Sequence, residues 1–495
     1  MGRVVLAALW ILMGAATVAG LTASPSICKS SVVTERSAKT YRLAANASTV
    51  HWGYFFESLK PRLVIPSGSE VTVEMITHHA GDDPDKMIRG DPGVEEIYKW
   101  GASMNIPTRG ASGQGDGVHI LTGPIYVCDA APGDVLQIEI LDLYPRKNPR
   151  TGKTYGSNAA AWWGYQFRTP YKTGSKREVT TIYEVVEDKD GAVYAVPDYQ
   201  FTYGNTTRYK GPVTASCVPS SGSIPDSNVA VPWKHNFNYA PDYSVPCVNG
   251  QQRFTSYAYP GVLTEHPTGT EDFSIRGKFV VPANLHIGSI GLAPKFKPNE
   301  AVNSIPPLPT GGNMDNRRIG KGATLYLPVQ VAGALLSMGD AHIAQGDSEF
   351  DGTGIETSIT GRFKITLHKK GRQPRTIRDL KFPLLENRNE WHVHGYAYGN
   401  YLTELNPPGQ IFAKGASLDK AFEGVYRNAR DWLMSGWGLT EDQAITLLTV
   451  ACDFNVHQVV DGNWGLGVSI PKYVFRVNDK RRYKPAVICG SSTPA

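Results

Sequence analysis

The densest group of side chains that could bind a metal ion lies between Gly311 and Glu356. Asp340 and His342 are two residues apart, so an extended backbone places their side chains on one side, about 6–7 Å apart. A carboxylate and an imidazole that converge in this way suit zinc or a similar divalent metal ion. Nearby glycines would let the backbone bend closely around the ion: Gly339, Gly346, Gly352 and Gly354. The alternative is an ordinary turn with solvated carboxylates, because Gly and Asp are frequent in turns.

The histidines outside this stretch have a structural interpretation on sequence grounds. They include two isolated residues and two pairs: His51, His119, His78-His79 and His392-x-His394. We interpret the isolated ones as hydrogen-bonded structural residues. The pairs could bind a metal ion, but surface loops also carry such pairs by chance, and this is the interpretation we adopt. Asp453, His457 and Asp461 follow a four-residue spacing, but the segment around them has the pattern of a strand. A strand lacks the common helical face that this spacing would need.

The chain carries none of the short motifs typical of serine hydrolases, zinc proteases or nucleotide-binding enzymes. G-x-S-x-G, H-E-x-x-H and G-x-x-x-x-G-K-[ST] are all missing from the sequence. A net charge of +5 over 495 residues leaves no basic domain, so the composition excludes a nucleic-acid partner. Hydrophobic residues at 41% and charged residues at 19% indicate a folded chain rather than a disordered one.

The elements that would position these residues are mainly strands. The 51 glycines and 34 prolines indicate many turns, and apolar residues alternate with polar ones in the segments between them. The clearest alternating sets are Val71/Val73/Met75, Leu136/Ile138/Ile140, Ala323/Leu325/Leu327/Val329 and Phe363/Ile365/Leu367. A last strand pair is predicted around 468–470 and 473–477. The sequence therefore predicts a mainly β fold.

Two helices are predicted, both near the C-terminus. Ser417 can cap the first, whose apolar face would consist of Leu418, Ala421, Phe422, Val425, Ala429 and Trp432. Thr440 and Gln443 form the pattern of a capping box for the second. These helices and the strands after them predict a smaller α+β segment behind the large β region.

Composition divides the chain into five regions. They are a signal peptide (1–23), an N-terminal β region (24–146), a loop-rich aromatic region (147–260), a β region with the metal-binding loop (261–375) and a C-terminal α+β segment (376–495). The region 147–260 is rich in Tyr, Asn, Pro, Gly and Ser, which predicts long loops and short strands over a cleft or an interface.

The first 23 residues have the pattern of a secretory signal peptide. Arg3 precedes the apolar run from Val4 to Met13, and small residues follow up to Ala23. We expect cleavage, secretion and no stable membrane insertion afterwards, and the alternative is an uncleaved anchor. Six cysteines in an exported chain permit up to three disulfides. We predict one between Cys217 and Cys247, with buried free thiols as the alternative state of Cys128 and Cys452.

Several of these segments together resemble the acetamidase/formamidase family of amide hydrolases. The matching stretches are His119-x-Leu121-Thr122-Gly123-Pro124-Ile125, Gly311-Gly312-Asn313-Met314-Asp315, Gly339-Asp340-Ala341-His342-x-x-Gln345-Gly346-Asp347 with Glu356 beyond it, and 452–461. They lie within about 51–472, nearly the whole chain after the signal. The resemblance implies a β-sandwich or jelly-roll-like architecture and hydrolysis of short carboxamides to carboxylate and ammonia. It also implies a bound divalent metal ion and assembly into a homo-oligomer.

The candidate residues fit a hydrolytic mechanism on the basis of this resemblance. Asp315, Asp340 and His342 would hold the ion, zinc or else calcium, which would polarise the carbonyl and lower the pKa of water. Glu356, or otherwise Asp347, would take the proton of that water and pass it to the leaving amine. The remaining candidates are reserve ligands, oxyanion donors or substrate contacts: His51, His119 and Gln345.

A secreted, non-catalytic β-sandwich that binds carbohydrate is the alternative to an amide hydrolase. Trp162-Trp163 and the tyrosines around them could stack on sugar rings. The complete set of Asp, His and Glu residues favours the enzyme. Members of the family are commonly cytosolic, and the region 147–260 is distinctive, so the acyl group of the substrate stays open.

Overall fold

The computed structural model describes residues 28, 40–98, 118–160, 164–167, 178–203, 213–216, 247–248, 251–253, 271–297, 301–406, 411 and 416–475. The strands among them are β1 (Thr40–Leu43), β2 (Val50–Trp52), β3 (Tyr54–Phe55), β4 (Leu63–Ile65), β5 (Ser69–Met75), β6 (Ile120–Val127), β7 (Val135–Pro145), β8 (Thr154–Ala160), β9 (Glu178–Glu187), β10 (Val193–Tyr203), β11 (Val213–Ser216), β12 (Cys247–Val248), β13 (Gln251–Arg253), β14 (Val281–Pro282), β15 (His286–Leu292), β16 (Val302–Asn303), β17 (Gly311–Asn313), β18 (Thr324–Pro328), β19 (Leu336–His342), β20 (Glu356–Thr357), β21 (Ile359–His368), β22 (Leu384–Glu386), β23 (Glu390–Tyr396), β24 (Asp453–Gln458) and β25 (Gly465–Pro471). The α-helices are α1 (Pro84–Met87), α2 (Pro92–Tyr98), α3 (Tyr401–Glu404), α4 (Leu418–Trp437) and α5 (Glu441–Ala451).

Two large sheets account for most of these strands. In one, nine strands follow the order β1-β5-β21-β7-β18-β22-β23-β25-β24. The other has eleven strands, with β14-β10-β9-β8-β20-β19-β15-β17 in a row and β6 joining β19 to β2 and β4. Most neighbours are far apart in the chain, so the order of the strands cannot be read from local patterns.

One hydrophobic core lies between the two sheets. It combines Val73 and Ile138 from the nine-stranded sheet with Ile290 and Met338 from the eleven-stranded sheet. The predicted alternating sets lie in β5, β7, β18 and β21, where every second side chain is turned to this core. The two sheets thus pack face to face, and the prediction of a mainly β, sandwich-like fold is confirmed.

The two predicted C-terminal helices are present and begin at the predicted caps. Ser417 accepts a hydrogen bond from the backbone N–H of Lys420, and Thr440 and Gln443 form the capping box of α5. Helix α4 packs on β23 and β25, and a second core cluster contains Val425, Trp432, Val468 and other buried residues of these elements. This packing supports the outer part of the nine-stranded sheet, where three histidines described below are located.

Several details differ from the sequence predictions. Leu418 and Phe422 of α4 are exposed rather than buried, and the Phe422 ring stacks on Phe454, with centroids 4.4 Å apart. Residues Lys472–Phe475 form a turn of 3-10 helix where the second strand of the last pair was predicted. Within 147–260, the described residues include β8, β9 and β10, which are 7, 10 and 11 residues long rather than short. The division of the chain into five regions stays a prediction.

The disulfide in the described residues joins Cys28 to Cys128, with Cα atoms 6.0 Å apart. The expectation of a buried free thiol at Cys128 is therefore wrong, whereas Cys452 is a free, partly buried thiol. Sequence spacing could not reveal the pair, because its members are 100 residues apart. Cys217 of the predicted Cys217–Cys247 bridge lies outside the described residues. The predicted signal peptide and Trp162-Trp163 also lie outside them. No described helix is both long and apolar enough to span a membrane.

Candidate active site

Neighbouring strands of the eleven-stranded sheet bring the candidate residues together. β19 carries Asp340 and His342, and β20 places Glu356 directly opposite His342. On the other side of β19, β15 places His286 opposite His342. Asp315 follows β17, which is the next strand beyond β15. Because adjacent strands lie about 4.8 Å apart, side chains on one face of these strands can meet.

Three histidine rings surround the carboxylate of Asp340. Its Oδ1 lies 3.7 Å from His78 Nδ1 and 3.5 Å from His342 Nε2, and its Oδ2 lies 3.4 Å from His119 Nε2. All four side chains are buried. Burial alone would raise the pKa of Asp340, but the nearby charges of His119 and His342 hold this pKa well below its usual range. Asp340 therefore keeps its negative charge at physiological pH.

His342 is held in one orientation by a chain of hydrogen bonds. Its Nδ1 lies 3.0 Å from His286 Nε2, and His286 Nδ1 donates to the carbonyl of Asn284 over 2.6 Å. Since a carbonyl can only accept, His286 Nε2 accepts from His342 Nδ1, and His342 Nε2 points to Asp340 and Glu356. Burial alone would lower the pKa of His342, but the carboxylates of Glu356 and Asp340 raise it well above its usual value.

A second group of carboxyl groups adjoins Asp340. Asp315, Glu349 and Asp461 offer oxygen atoms that all lie within 4.8 Å of one another. Burial, together with the charge of Asp340, raises the pKa of Asp315 to about 7. Burial and the neighbouring carboxylates likewise raise the pKa of Glu349 and of Asp461 well above the usual range. These groups repel one another when they are ionised, unless a proton or a cation lies between them.

This repulsion predicts how stability depends on pH in the presence of a chelator. The pKa of Asp315 is about 7 in the folded chain, whereas an unfolded aspartate has a pKa of about 3.9. The folded state thus binds more protons between these values, so the contribution of Asp315 to stability falls as the pH rises. We expect Asp315→Asn to raise the unfolding temperature relative to wild type, by a difference that grows from pH 5 to pH 7 and is then constant. A difference that is the same at pH 5 and pH 8 would contradict this assignment.

Three of the acidic residues have a strained backbone, and a glycine lies against two of their carboxylates. Asp315, Asp340 and Glu349 have φ values of 45°, 55° and 46°, a region that residues other than glycine seldom adopt. Gly288 lies across from Asp340 on β15, and a Cβ atom there would be 2.5 Å from Asp315 Oδ1 and 2.7 Å from Asp340 Oδ2. The close approach of both carboxylates to β15 therefore requires a glycine at this position.

The structure brings most of the sequence-predicted site residues into one cluster. Asp315, Asp340 and His342 offer ligand atoms within 4.8 Å of one another, and Glu356 Oε1 lies 3.1 Å from His342 Nε2. His119, considered above only as a reserve ligand, contacts Asp340 directly.

Three other candidates have different surroundings. Asp347 pairs with Arg317 and Arg318 at 2.9 and 3.1 Å, and the structure does not bring it to the cluster. His51 Nε2 lies 3.0 Å from Ser337 Oγ, and His51 belongs to none of the ligand groups found among the described residues. Gln345 Nε2 donates to the backbone carbonyl of Asp315 over 2.8 Å, so this side chain positions the Asp315 loop.

Sequence reasoning missed His78, Glu349 and Asp461 as members of the cluster. His78 and its neighbour His79 lie shortly after the end of β5 at Met75 and are buried, so their interpretation as a surface pair is wrong. The buried strand before them is the signal that could have indicated this. Glu349 and Asp461 have no such local signal, because a bridge between Ser348 and Gln458 brings their two loops together.

The cluster has the properties of a metal-binding centre. The cluster contains four overlapping groups of three possible ligands. Asp315, Asp340, His342 and Glu349 each belong to two of these groups. Several buried atoms lack a hydrogen-bond partner among the described residues: His78 Nδ1, both carboxylate oxygens of Asp315, Glu349 Oε2, Glu356 Oε2 and Asp461 Oδ2. Unpaired buried polar atoms are rare in proteins and destabilising, so this concentration suits a cation.

Comparison with known proteins agrees with this arrangement. Residues 114–477 match the Acetamidase/Formamidase family, and this stretch includes all the carboxylates of the cluster. The chain belongs to this family. Its fold matches the crystal structure of a predicted acetamidase/formamidase from Thermoanaerobacter tengcongensis, with a TM-score of 0.53, 19% identity, and coverage of 89% of this chain and 98% of the other.

Two relatives share more of the sequence but over a smaller part of the chain. A Schizosaccharomyces pombe protein that carries the name formamidase is 26% identical over 62% of this chain and 63% of its own length. An acetamidase from Mycolicibacterium smegmatis is 26% identical over 67% of this chain and 72% of its own length. The matched part of the chain thus spans less than two thirds of the first of these relatives.

Proposed function

We propose that this member of the family hydrolyses small carboxamides to a carboxylate and ammonia in the cluster around Asp340. The observation that carries the proposal is the buried Asp340 carboxylate, which three imidazoles surround beside Glu356. Similarity to the M. smegmatis acetamidase supports an amide as the substrate. An amide is a poor electrophile, so its hydrolysis needs an activated water and stabilisation of the developing oxyanion.

The proposal includes a divalent metal ion, zinc in the first place. The imidazole-rich side of the cluster would hold it through His78, His119, Asp340 and His342, since zinc prefers nitrogen ligands combined with carboxylate. The carboxylate-rich side, formed by Asp315, Glu349 and Asp461, suits a cation that prefers oxygen, such as calcium. When bound, the ion would polarise the carbonyl of the amide and lower the pKa of water.

Glu356 is the residue to which we assign proton transfer. The backbone N–H of Gly354 donates to its Oε1 over 3.1 Å, and this bond fixes the carboxylate. Its Oε2 is buried and has no hydrogen-bond partner among the described residues, so it can accept a proton from water. Burial raises the pKa of Glu356, which makes it a better base for water and a suitable donor to the leaving amine.

Ammonia release from an amide panel tests the proposal directly. The full chain would be assayed with formamide, acetamide and longer carboxamides, as purified, after chelation, and after zinc or calcium is added back. We expect turnover of at least one amide, loss after chelation, and recovery with one of the two ions. Absence of ammonia release from every amide by a folded, zinc-loaded chain would overturn it.

Gly288→Ala is expected to damage this site without changing any polar group. Its Cβ atom would lie 2.5 Å from Asp315 Oδ1 and also 2.8 Å from the backbone oxygen of Asp340, so rigid backbone must shift. We expect a loss of about 1–3 kcal/mol in stability and, because displaced catalytic groups lose their alignment, about a 100-fold loss in amide turnover. Gly346→Ala is the matched control, since nothing lies within 4 Å of a Cβ atom there. Equal activities of the two variants would contradict the prediction.

Export and self-assembly are further parts of the proposal. The Cys28–Cys128 disulfide supports export, because disulfides persist mainly in oxidising compartments. N-terminal sequencing of the secreted chain tests cleavage near residue 23, and light scattering tests the homo-oligomer.

A further inference from the structure

Three buried histidines lie together on the nine-stranded sheet. His392 and His394 are two residues apart on β23 and share one face, and His457 comes from β24. The centroids of the three rings are 4.9 to 5.3 Å apart. Each ring offers a nitrogen within 4.8 Å of the others, and this group shares no residue with the cluster around Asp340. We call these three residues the histidine triad.

The central strand β25 explains how the triad forms. β25 lies between β23 and β24, and its Gly467 is opposite His394 on one side and Asn455 on the other. A Cβ atom at Gly467 would be 1.9 Å from His392 Nε2 and 2.5 Å from His457 Nε2, so only glycine leaves room for both rings. His457 also sits where the register of β24 shifts, and such a bulge re-aims a side chain.

Hydrogen bonds turn the Nε2 atoms of the triad inwards. His394 Nδ1 donates to the carbonyl of Pro383 over 3.0 Å, and His392 Nδ1 lies 3.0 Å from Ser469 Oγ. Asn316 Nδ2 donates to His394 Nε2 over 2.9 Å, so the lone pair of this nitrogen accepts that N–H, and a metal ion at His394 would take the place of the Asn316 amide. The amide orientation of Asn316 is set independently, because its Oδ1 accepts from the backbone N–H of Arg318 over 3.0 Å.

The other two rings contact each other through their Nε2 atoms. His392 Nε2 and His457 Nε2 are 2.7 Å apart, a hydrogen-bond distance at which one ring carries the N–H and the other accepts it, and a cation bound here would replace that shared proton. Burial lowers the pKa of both rings well below the usual value, which leaves neutral imidazole, the form that binds metal ions. Arg318 faces the triad, but its charge is offset by Asp347 at 3.1 Å and Glu390 at 3.8 Å.

We propose that His392, His394 and His457 form a second metal site, which binds a divalent cation that prefers imidazole, with Zn²⁺ as the reference ion. Three neutral imidazoles are a recurrent ligand set for zinc, and in two of these rings, His392 and His394, the second nitrogen is held by a hydrogen bond. The histidine triad is separate from the proposed hydrolytic centre, but it contacts the loops that hold that centre. Asn316 is next to Asp315, and the backbone carbonyl of His457 accepts from the N–H of Ser348 over 3.0 Å. An ion at the triad would therefore stabilise the loops that carry Asp315 and Glu349.

Zinc stoichiometry of the full chain tests this site without reference to turnover. Chelator-treated wild type, His392→Gln and His457→Gln would be titrated with Zn²⁺ and then analysed for bound metal. We expect each variant to bind one equivalent less than wild type and to lose the zinc-dependent part of its thermal stabilisation. His368→Gln is the matched control, because His368 lies on β21 and contacts Gln137 at 2.6 Å, outside the triad. Equal stoichiometry in folded wild type and triad variants would overturn the proposal.

X-ray absorption at the zinc edge separates this site from the hydrolytic centre, even if the triad variants fail to fold. The sample is Asp340→Asn loaded with one equivalent of Zn²⁺, because this variant retains the triad and weakens the other cluster. Ligation by three imidazoles is expected. Ligation dominated by carboxylate oxygens, or no retained zinc, would overturn the triad site. Failure of the amide assay with triad-bound zinc present would overturn only the hydrolytic function.

Discussion

Asp340→Asn should reduce amide turnover about 1,000-fold, and should also lower the affinity of the Asp340 cluster for zinc. Among the carboxylates of the described residues, Asp340 is the one that contacts His78, His119 and His342 together. An asparagine has nearly the same size and tolerates the left-handed backbone at this position, so the change removes charge with little change of shape. The size of the effect follows from losing a fixed charge at the buried centre where we propose that the amide is hydrolysed. Ammonia release and bound zinc are the two measurements.

Asp453→Asn provides the control for this experiment. Asp453 is exposed at the start of β24, so the same loss of charge there should leave turnover and zinc content unchanged. The role of Asp340 would be rejected if its asparagine variant, correctly folded, turned over amides as fast as the Asp453 variant. Thermal unfolding of both variants separates a folding defect from a defect in the site.

Glu356→Gln should lower kcat by about 10²- to 10⁴-fold while zinc content and KM stay close to wild type. Glutamine fills the same space and can still accept from the N–H of Gly354, which in the wild type donates to Oε1 over 3.1 Å. It cannot take a proton from water, so only proton transfer is lost. Glu184→Gln is the matched control, because Glu184 forms a surface pair with Lys153 at 2.8 Å.

The pH profile distinguishes a proton-transfer role of Glu356 from a purely structural one. Only the ionised carboxylate accepts a proton, so wild-type turnover should fall as the pH drops through the pKa of Glu356, which burial raises above its usual value. In Glu356→Gln this acid limb should disappear, and the residual rate should be flat over the same range. A variant that kept the same acid limb would assign the proton transfer elsewhere. Asp347→Asn then tests the other sequence candidate, which pairs with Arg317.

Local features of the structure were predictable from sequence where neighbours in the chain decide them. Alternation of apolar residues predicted β5, β7, β18 and β21, because one face of each strand packs on the core. The caps at Ser417 and Thr440 act within three residues, so they also set the starts of α4 and α5 correctly. Phe422 shows the limit of periodicity, since it lies on the predicted face but stacks on Phe454 at the surface.

The residues of the candidate site also fall into those that the sequence indicated and those that only the structure revealed. Spacing alone indicated that Asp340 and His342 converge, and resemblance to a family added Asp315 and Glu356. His78 joins them from just after β5, and Asp461 from beyond β24, and each is more than 100 residues from Asp340 in the chain. The buried strand β5 is a local signal for His78, whereas Asp461 has none.

By itself, the sequence determined a mainly β chain, several of its core strands, its two C-terminal helices, its family and half of the cluster around Asp340. Tertiary structure alone decided which strands are neighbours, and therefore which carboxylates and imidazoles share one buried space. The histidine triad shows this most clearly: β25 lies between β23 and β24, so Gly467 lets rings from both sides meet. The physical reason is that periodicity reports which face of a strand is buried, whereas contacts between strands depend on sheet order, which is set by packing over the whole chain.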